Sequence, residues 1–298
     1  MLRKSNIWKQ FVMKAIGTAS PKMLASIYNH AATGRWVNWK NPQDLNEKIL
    51  WLSLCSDTTS WTELADKYKV RAFIEEKGYG DLLTELYGIW KRSEDIDYDK
   101  LPNRFVLKTN HGSGTNIIVK DKSKLNREEV NMQLNEWLKM KFGWPVEPHY
   151  LRIKPMIIAE ELLVDRDNNY SSSLVDYKIF CLNGEPEHIW ACYNRTNNSV
   201  YVETHATDWT YMPEKSVFST QYKDGGGIVP QPKNLELMLK VAKDLAEGFP
   251  EVRIDFYEVN GHLYFGEMTF SSNQGTMTFF TPEYLKEMGD KVSLPMKK

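Results

Sequence analysis

The chain has 298 residues, which is long enough to bury a large core and to divide into several subdomains. Its 38 Lys and Arg side chains nearly balance its 39 Asp and Glu side chains, and no long block of one sign is present, so we expect neither a nucleic-acid partner nor a polybasic membrane footprint. The 3 cysteines are scattered and lack CxxC spacing, which argues against a disulfide framework and a zinc site and favours the reducing cytoplasm.

The amino terminus is basic and partly apolar, but it has no uninterrupted hydrophobic region and no small-residue cleavage site. We therefore do not expect it to be a secretion signal. No window of the chain approaches the ~18 uncharged apolar residues of a membrane-spanning helix. The sequence predicts no transmembrane segment and leaves peripheral membrane contact open.

Helical patterns dominate residues 1–100. One helix is predicted where Leu45, Ile49 and Leu52 share a face. Residues 61–78 read as a second, complete helix that ends at a glycine. The sequence thus predicts a helical amino-terminal region.

From residue 105 the pattern changes to strand, loop and strand, followed by a helix that Asn126 can cap and that buries Val130, Leu134 and Trp137. Strand patterns then prevail as far as residue 206, with a turn at Asn183-Gly184.

Residues 223–231 read as a loop, residues 234–247 as a helix, and the remaining strands as a hairpin that turns at Asn260-Gly261. Helices interleaved with hairpins predict an α+β fold with mainly antiparallel sheets.

The loop at residues 109–116 is longer than a hairpin requires. Gly112 and Gly114 would let the backbone approach a ligand and expose N–H groups to phosphate oxygens, while Lys108 offers a cation beside them. The order differs from a Walker motif, and no HRD catalytic loop of a protein kinase is present. A nucleotide triphosphate is the expected ligand; an ordinary surface loop remains the alternative.

The last hairpin carries polar residues on one face. Arg253 and Asp255 project together, and Ile254 and Phe256 project from the other face towards a helix. Glu267 shares the face of Asp255 only if the turn has an odd number of residues or a bulge intervenes. A three-residue loop with Gly261 left-handed would meet this condition, whereas a strict two-residue turn would send the two carboxylates to opposite faces. Facing carboxylates suit magnesium. Solvated acids on a half-exposed strand pair are the alternative.

Together these motifs resemble the ATP-grasp superfamily, which joins a carboxylate to an amine through an acyl-phosphate. FVLK with HGSG resembles its phosphate-binding lysine and glycine loop, IIAEELL its adenine hinge, and RIDF with GEMTF its magnesium hairpin. LNEKI, ADKYKVR and DYKIFCLNGEP are similar to motifs of the TupA-like branch, named for teichuronopeptide synthesis.

The resemblance implies an ATP-grasp fold in which two α+β subdomains grip a nucleotide. The small subdomain with the glycine loop would span residues 101–165, and the large subdomain with the magnesium hairpin residues 166–298. The helical region of residues 1–100 would precede them.

The resemblance also implies roles for individual residues. Those expected to contact ATP are Lys108, His111, Gly112, Ser113, Gly114, Glu160, Glu161, Leu163 and Lys178. Among them, Glu160 would take the adenine amino group. Asp255 and Glu267 would hold Mg²⁺, and the catalytic pair would be Lys108 and Arg253, with the arginine stabilising the acyl-phosphate and its tetrahedral successor.

One position departs from the family pattern. Many ATP-grasp enzymes carry E-x-N after the last strand, whereas Thr269 stands where the amide ligand would be. Asn273 is a candidate substitute, and we expect either a weaker second magnesium or a water molecule in that place.

The expected function is an ATP-dependent ligase that forms an amide bond between an amine and a uronic acid of a cell-surface or capsular polysaccharide. Two other functions stay open, namely a phosphotransferase on a glycan-related substrate and a non-catalytic nucleotide-binding partner of a glycan-assembly complex. A glycosyltransferase is disfavoured, because no DxD motif in a βαβ nucleotide domain is evident. The oligomeric state is left undetermined.

Overall fold

Two β-sheets with separate helical layers organise the chain in a computed structural model that describes residues 12–143, 145–166 and 169–295. The first eleven residues of the basic amino terminus lie outside these ranges, and each of the three predicted regions is described only in part. None of the helices in the described ranges is long and apolar enough to cross a membrane. The three predicted boundaries remain predictions.

The amino-terminal part of the described chain is mainly helical. Residues 12–19 are helical, and four helices follow: α1 (Pro21–Thr33), α2 (Leu45–Cys55), α3 (Thr59–Leu64) and α4 (Val70–Glu76). The prediction for α2 is confirmed, because Leu45, Ile49 and Leu52 are all buried. Asp44 caps this helix by accepting a hydrogen bond from the backbone N–H of Glu47.

The single helix predicted for residues 61–78 is wrong, since the chain breaks between α3 and α4. The Asp66 side chain accepts hydrogen bonds from the backbone N–H groups of Tyr68, at 2.9 Å, and Lys69, at 3.3 Å. The N–H of Lys67 donates to the carbonyl of Asn110 across the fold, at 3.1 Å. These three donors are thus taken from the helical ladder, because a short polar side chain and a tertiary acceptor compete for them.

The small sheet has the strand order β1-β4-β2-β3, and all its pairs are antiparallel. Its strands are β1 (Leu86–Trp90), β2 (Phe105–Thr109), β3 (Asn116–Val119) and β4 (Ile157–Glu161). β1 lies inside the region predicted as helical. The local sequence does not reveal this strand, because it depends on pairing with β4, which comes from a distant part of the sequence. The helices α5 (Arg127–Leu138) and α6 (Pro148–Arg152) lie between β3 and β4 in the chain.

The predicted helix after the glycine loop is confirmed as α5. Asn126 accepts a hydrogen bond from the N–H of Glu129, and Val130 and Leu134 pack into the core of the small sheet. Trp137 is only partly buried at the edge of this core.

The large sheet has the order β10-β9-β5-β6-β7-β8 and is antiparallel except for the pair β7/β8. Its strands are β5 (Asp176–Leu182), β6 (Glu185–Tyr193), β7 (Val200–Ala206), β8 (Tyr222–Asp224), β9 (Glu251–Val259) and β10 (His262–Thr269). The predicted α+β class with mainly antiparallel sheets is confirmed. β8 occupies the start of the segment predicted as a loop.

Helices cover the large sheet on both sides. On one face, α7 (Leu235–Ala246) shares an apolar cluster with Ile254 and Phe256, as the alternation of β9 predicts. On the other face, α2 and α8 (Pro282–Lys291) share a second cluster with Phe180 and Trp190. The polar residues of β5, β9 and β10 lie on this second face, beyond the part that the helices cover.

Candidate functional site

A cavity of about 760 Å³ lies between the two sheets. Lys108 and the glycine loop line it from the small sheet, while Lys178, Asp255 and Glu267 line it from the large sheet. The cationic strand and the acidic hairpin therefore face the same space, although they are far apart in sequence.

The glycine loop is held at its base and open at its tip. The hydroxyls of Thr109 and Thr115 lie 2.7 Å apart, whereas Ser113 and Gly114 are exposed. At Gly112, a Cβ would lie 2.4 Å from the Phe142 ring, so any other residue would have to displace that ring. The glycine at 112 is thus favoured by this close approach, as well as being available to a ligand.

His111 does not line the cavity. Its ring is buried, with Nε2 3.2 Å from the Met140 carbonyl and an edge-on contact to Phe142. Burial lowers its pKa. The structure thus places His111 beneath the loop, where its ring supports the backbone, and does not bring it to the position expected for a phosphate contact.

Lys108 and Glu160 form an ion pair on the cavity face of the small sheet. In the antiparallel register of β2 and β4, Glu160 pairs with Val106, so the carboxylate and Lys108 lie on the same face. The lysine Nζ lies 2.5 Å from Oε2 of Glu160. Arg71 approaches the other carboxylate oxygen at 3.8 Å. Because Glu160 is buried, these cations offset the cost of its charge.

The segment after β4 forms one wall of the cavity. Glu161 ends the strand, and Leu163 lies in the irregular chain that follows; both line the cavity. The structure therefore places the predicted hinge residues beside Glu160 and Lys108.

Three charged residues stand in a row across the large sheet. Lys178 on β5 pairs with Asp255 on β9, which pairs with Glu267 on β10. The ammonium of Lys178 lies 2.5 Å from Asp255 and 2.6 Å from Asp176. Burial opposes the charge of Lys178, but these two carboxylates outweigh it and hold its pKa above the ordinary value.

A bulge brings Glu267 to the face of Asp255. The turn has two residues, Asn260 and Gly261, with φ angles of 51° and 76°, so it is not the three-residue loop that would have met the condition. The register shifts between Phe265 and Glu267, which leaves Gly266 as the extra residue. Asp255 and Glu267 therefore share a face because of the bulge, which was the second of the two conditions stated from the sequence.

Arg253 holds both carboxylates of the hairpin. Its guanidinium bonds the two oxygens of Asp255 at 2.6 and 2.7 Å, and it lies 3.3 Å from Glu267. Burial opposes the positive charge, but these acids raise the pKa of the arginine. The bidentate geometry fixes the guanidinium plane, as is typical of strong arginine–carboxylate pairs.

Asp255 and Glu267 offer oxygen ligands of the kind that Mg²⁺ prefers, and two carboxylates are enough when substrate phosphates complete the coordination. The donor set therefore fits Mg²⁺ bound together with a nucleotide. Within the described residues, no group of three or more His, Cys, Asp or Glu forms a metal cluster.

The candidate replacements for the usual asparagine differ in position. Thr269 donates to Glu267 at 3.3 Å and accepts from Arg253 at 3.2 Å. Asn273 instead donates to the carbonyl of Thr276 in its own loop, at 2.8 Å, and is not among the residues that line the cavity.

Lys67, Arg71 and Asp176 also line the cavity, and we did not single them out from the sequence. Lys67 lies 3.1 Å from Glu267, at the break between α3 and α4. Burial favours the neutral form of Glu267, but Lys67 and Arg253 outweigh it and hold the pKa of this carboxyl well below its ordinary value. The ADKYKVR motif contains both Lys67 and Arg71, but the prediction of one continuous helix gives no indication that these side chains point into the cavity.

Two sheets that enclose one cavity, with a lysine and glycine loop on one and a carboxylate pair on the other, define the class as ATP-grasp enzymes. The model of the TupA-like ATP-grasp family matches residues 47–293. The chain therefore belongs to this family, which confirms both the resemblance and the fold.

Several solved structures of ligases are similar to this chain at low sequence identity. D-alanine–D-alanine ligase from Bacillus anthracis, complexed with ATP, is 14% identical, with a TM-score of 0.43 over 79% of this chain and 68% of that chain. The Helicobacter pylori enzyme of the same name is 13% identical, with a TM-score of 0.44 over 85% and 70%. Phosphoribosylamine–glycine ligase from Thermotoga maritima is 12% identical, with a TM-score of 0.41 over 72% and 49%. The search of curated proteins found no match.

Proposed function

We propose that the protein is an ATP-dependent carboxylate–amine ligase that acts through an acyl-phosphate. The observation that carries this proposal is that Lys108 and the glycine loop face the same cavity as Asp255 and Glu267. A triphosphate would lie between the two sheets, with cations on one side and metal-binding carboxylates on the other. The family assignment supports the same reaction class.

On the nucleotide side, we assign Lys108, Gly112, Ser113 and Gly114 to the phosphates. Glu160 would accept from the adenine amino group, and the hinge around Glu161 and Leu163 would meet the edge of the ring. Lys178 would provide a second lysine next to the phosphates. The lining of the cavity by these residues supports the assignment.

In the first step, an oxygen of the substrate carboxylate attacks the γ-phosphorus of ATP, the bond to the bridging oxygen breaks, and ADP leaves. In the second step, the amine attacks the carbonyl carbon, the tetrahedral adduct expels phosphate, and the nitrogen loses a proton. Arg253 is placed to neutralise the oxygens on which negative charge develops. The protein contributes chiefly position and charge.

Asp255 and Glu267 would hold Mg²⁺, which, when bound, neutralises phosphate oxygens of the nucleotide. Without it, the same two carboxylates hold Arg253, Lys178 and Lys67. The two carboxylates would hold Mg²⁺, and the cations that they now pair with would then be available to the phosphates of the nucleotide.

We assign the acid substrate to a uronic acid of a cell-surface or capsular polysaccharide, or of its precursor, and the amine to an amino acid or amino sugar. The TupA-like family assignment supports this choice of substrates. We expect the reaction to take place in the cytoplasm, where ATP is available.

The test measures ADP release with MgATP and a panel of uronic acids and amino acids, with each component omitted in turn. We expect ADP release to require both the acid and the amine, and the product to show the mass of the amide. With hydroxylamine in place of the amine, the acyl-phosphate would be trapped as a hydroxamate. The matched variants are Asp255→Asn in the site and Asp290→Asn, which is exposed on α8.

Two results would overturn the proposal. ADP release that needs only a hydroxyl acceptor, with a phosphorylated product, identifies a phosphotransferase. Binding of an ATP analogue without turnover across the whole panel identifies a nucleotide-binding partner of an assembly complex.

A further inference from the structure

The first 43 residues have a charge bias that the near-neutral total hides. They contain Arg3, Lys4, Lys9, Lys14, Lys22, Arg35 and Lys40. The first acidic residue is Asp44, and the rest of the chain has 31 basic against 39 acidic residues. These cations are spread out along the segment and do not form one block, but no acidic residue lies among them.

Helix α1 presents an apolar stripe to solvent. Its inner face is buried through Leu24, Ala25 and Asn29. Met23 stands on the outer face with 57% of its surface exposed, and Ala31 is exposed two turns further along the same face. An outer stripe without acidic residues is unusual for a helix that only meets water, since charged residues normally cover that face.

Trp36 extends this stripe beyond the end of α1. The residue is 61% exposed, and its ring stacks on His30, with the ring centroids 4.4 Å apart. Trp39 lies nearby in sequence but is partly buried, and its indole N–H donates to Ser26. Trp36 is thus a large aromatic side chain that the described protein does not cover.

The lysines beside this stripe are not committed to acids of the protein. Among the described residues, no carboxylate lies within ion-pair distance of Lys14, Lys22 or Lys40. Arg35 differs, because it pairs with the buried Asp44 that caps α2. Lys22 contacts the Trp39 ring, with its Nζ 5.6 Å from the ring centroid. Because no acid of the described protein pairs with Lys14, Lys22 or Lys40, these cations remain available to an external anion.

We propose that Lys14, Lys22, Met23, Trp36 and Lys40, here called the amino-terminal basic face, dock on the surface of an anionic lipid bilayer. Lysines attract anionic headgroups, and tryptophan favours the boundary between headgroups and acyl chains. An exposed tryptophan and methionine, together with lysines that pair with no carboxylate, combine both contributions. Binding of this kind is peripheral, and it does not depend on the proposed ligase function.

The test is sedimentation of the full chain with sucrose-loaded vesicles. Vesicles of phosphatidylcholine with about a third phosphatidylglycerol are compared with pure phosphatidylcholine, at low salt and at high salt. We expect binding to the anionic vesicles only, and weaker binding at high salt because exposed charges are screened.

Two pairs of variants locate the contact. Lys14→Gln/Lys40→Gln is compared with Lys139→Gln/Lys233→Gln, which removes the same charge from exposed sites elsewhere. Trp36→Ser is compared with Met132→Ser, whose side chain is also 61% exposed. We expect partition to fall about fivefold for each lysine lost from the basic face, to fall for Trp36→Ser, and to stay unchanged in both controls.

Equal partition of all four variants would overturn the proposal, as would the absence of binding to anionic vesicles. If RNA or an acidic protein binds the basic face while vesicles do not, the surface serves a macromolecular partner instead. Circular dichroism and the retained binding of an ATP analogue show that each variant is folded, so loss of vesicle binding is separable from loss of the site.

Discussion

The acidic residues that the large sheet places in the cavity are paired with basic residues, so the effect of changing one of them depends on its partner. Asp176, Asp255 and Glu267 each lie within ion-pair distance of a lysine or arginine. Carboxylates this close repel one another unless cations lie between them. A substitution here therefore changes both the contacts with a ligand and the charge balance of the site itself. Each variant needs a test of folding as well as a test of function.

Lys108→Ala tests the phosphate-binding assignment at a single residue. We expect ATP consumption to fall on the order of 10²-fold or more, comparable to the loss of one preorganised donor. Lys100→Ala is the control, because that side chain is 85% exposed on the same part of the chain. Full ADP release by the Lys108 variant, measured with the acid and amine of the ligase assay, would contradict the assignment.

Glu251 predicts a pH dependence of stability. It is fully buried with no partner for either oxygen, and burial raises its pKa to about 8. Between its unfolded pKa of about 4.5 and its folded value, the unfolded chain loses this proton first, so stability falls as pH rises. The substitution Glu251→Gln removes this contribution to the pH dependence of stability.

The measurement is denaturant unfolding of both proteins at pH 5 and pH 9. Relative to the wild type, the glutamine variant should gain roughly 4 kcal/mol across this range. Glu185→Gln, at an exposed position of β6, should follow the wild type at both pH values. A constant difference between Glu251→Gln and the wild type would mean that the carboxyl is already ionised in the folded protein.

At the scale of elements, the strands of the site were predictable because their signals are local. The glycine loop lies between two apolar runs, and Asn183-Gly184 and Asn260-Gly261 are turn pairs that favour hairpins. The structure confirms β2 with β3, β5 with β6, and β9 with β10. Alternation along β9 also placed Arg253 and Asp255 on one face.

Features that depend on distant partners could not be predicted in the same way. The break after α3 needs Asn110 as an acceptor for the N–H of Lys67, and the strand β1 needs β4. The bulge at Gly266 follows from the register of two paired strands, which the sequence constrains only by parity. Lys67 was not predicted as a site residue, because the break after α3 sets the direction of its side chain.

Gly266→Ala tests the bulge as an element. A Cβ at this position would lie 3.0 Å from the Asp255 carbonyl oxygen and 3.2 Å from the Tyr257 ring, so β10 would have to shift. We expect a loss of about 1–3 kcal/mol in the free energy of unfolding and weaker Mg²⁺-dependent binding of an ATP analogue. Gly80→Ala is the control, since its Cβ would meet only Glu75, at 3.5 Å. Unchanged analogue binding in Gly266→Ala would show that the bulge geometry does not set the position of Glu267.

On the scale of the whole molecule, the site exists only where two sheets and the helical region meet. Lys67 belongs to neither sheet, yet its backbone bonds Asn110 at the base of the glycine loop and its side chain bonds Glu267 on the acidic hairpin. One residue of the amino-terminal region thus links the two sides of the cavity. A nucleotide bound between the sheets would be held by the same connection.

Lys67→Ala tests this connection, because the variant keeps the backbone bond to Asn110 and removes only the ammonium. Loss of a charged hydrogen-bond donor typically costs about 1.5–3 kcal/mol, so we expect MgATP-analogue affinity, measured by calorimetry, to fall at least tenfold. Lys69→Ala removes a neighbouring lysine that pairs with exposed Glu63, and its affinity should match the wild type. Hydrogen exchange adds a readout of the assembly: the analogue should protect residues 110–115 and 265–269 together in the wild type. Protection of one segment alone, or equal affinity of the two variants, would mean that the two sheets do not hold the nucleotide together and that Lys67 serves only as the ion-pair partner of Glu267.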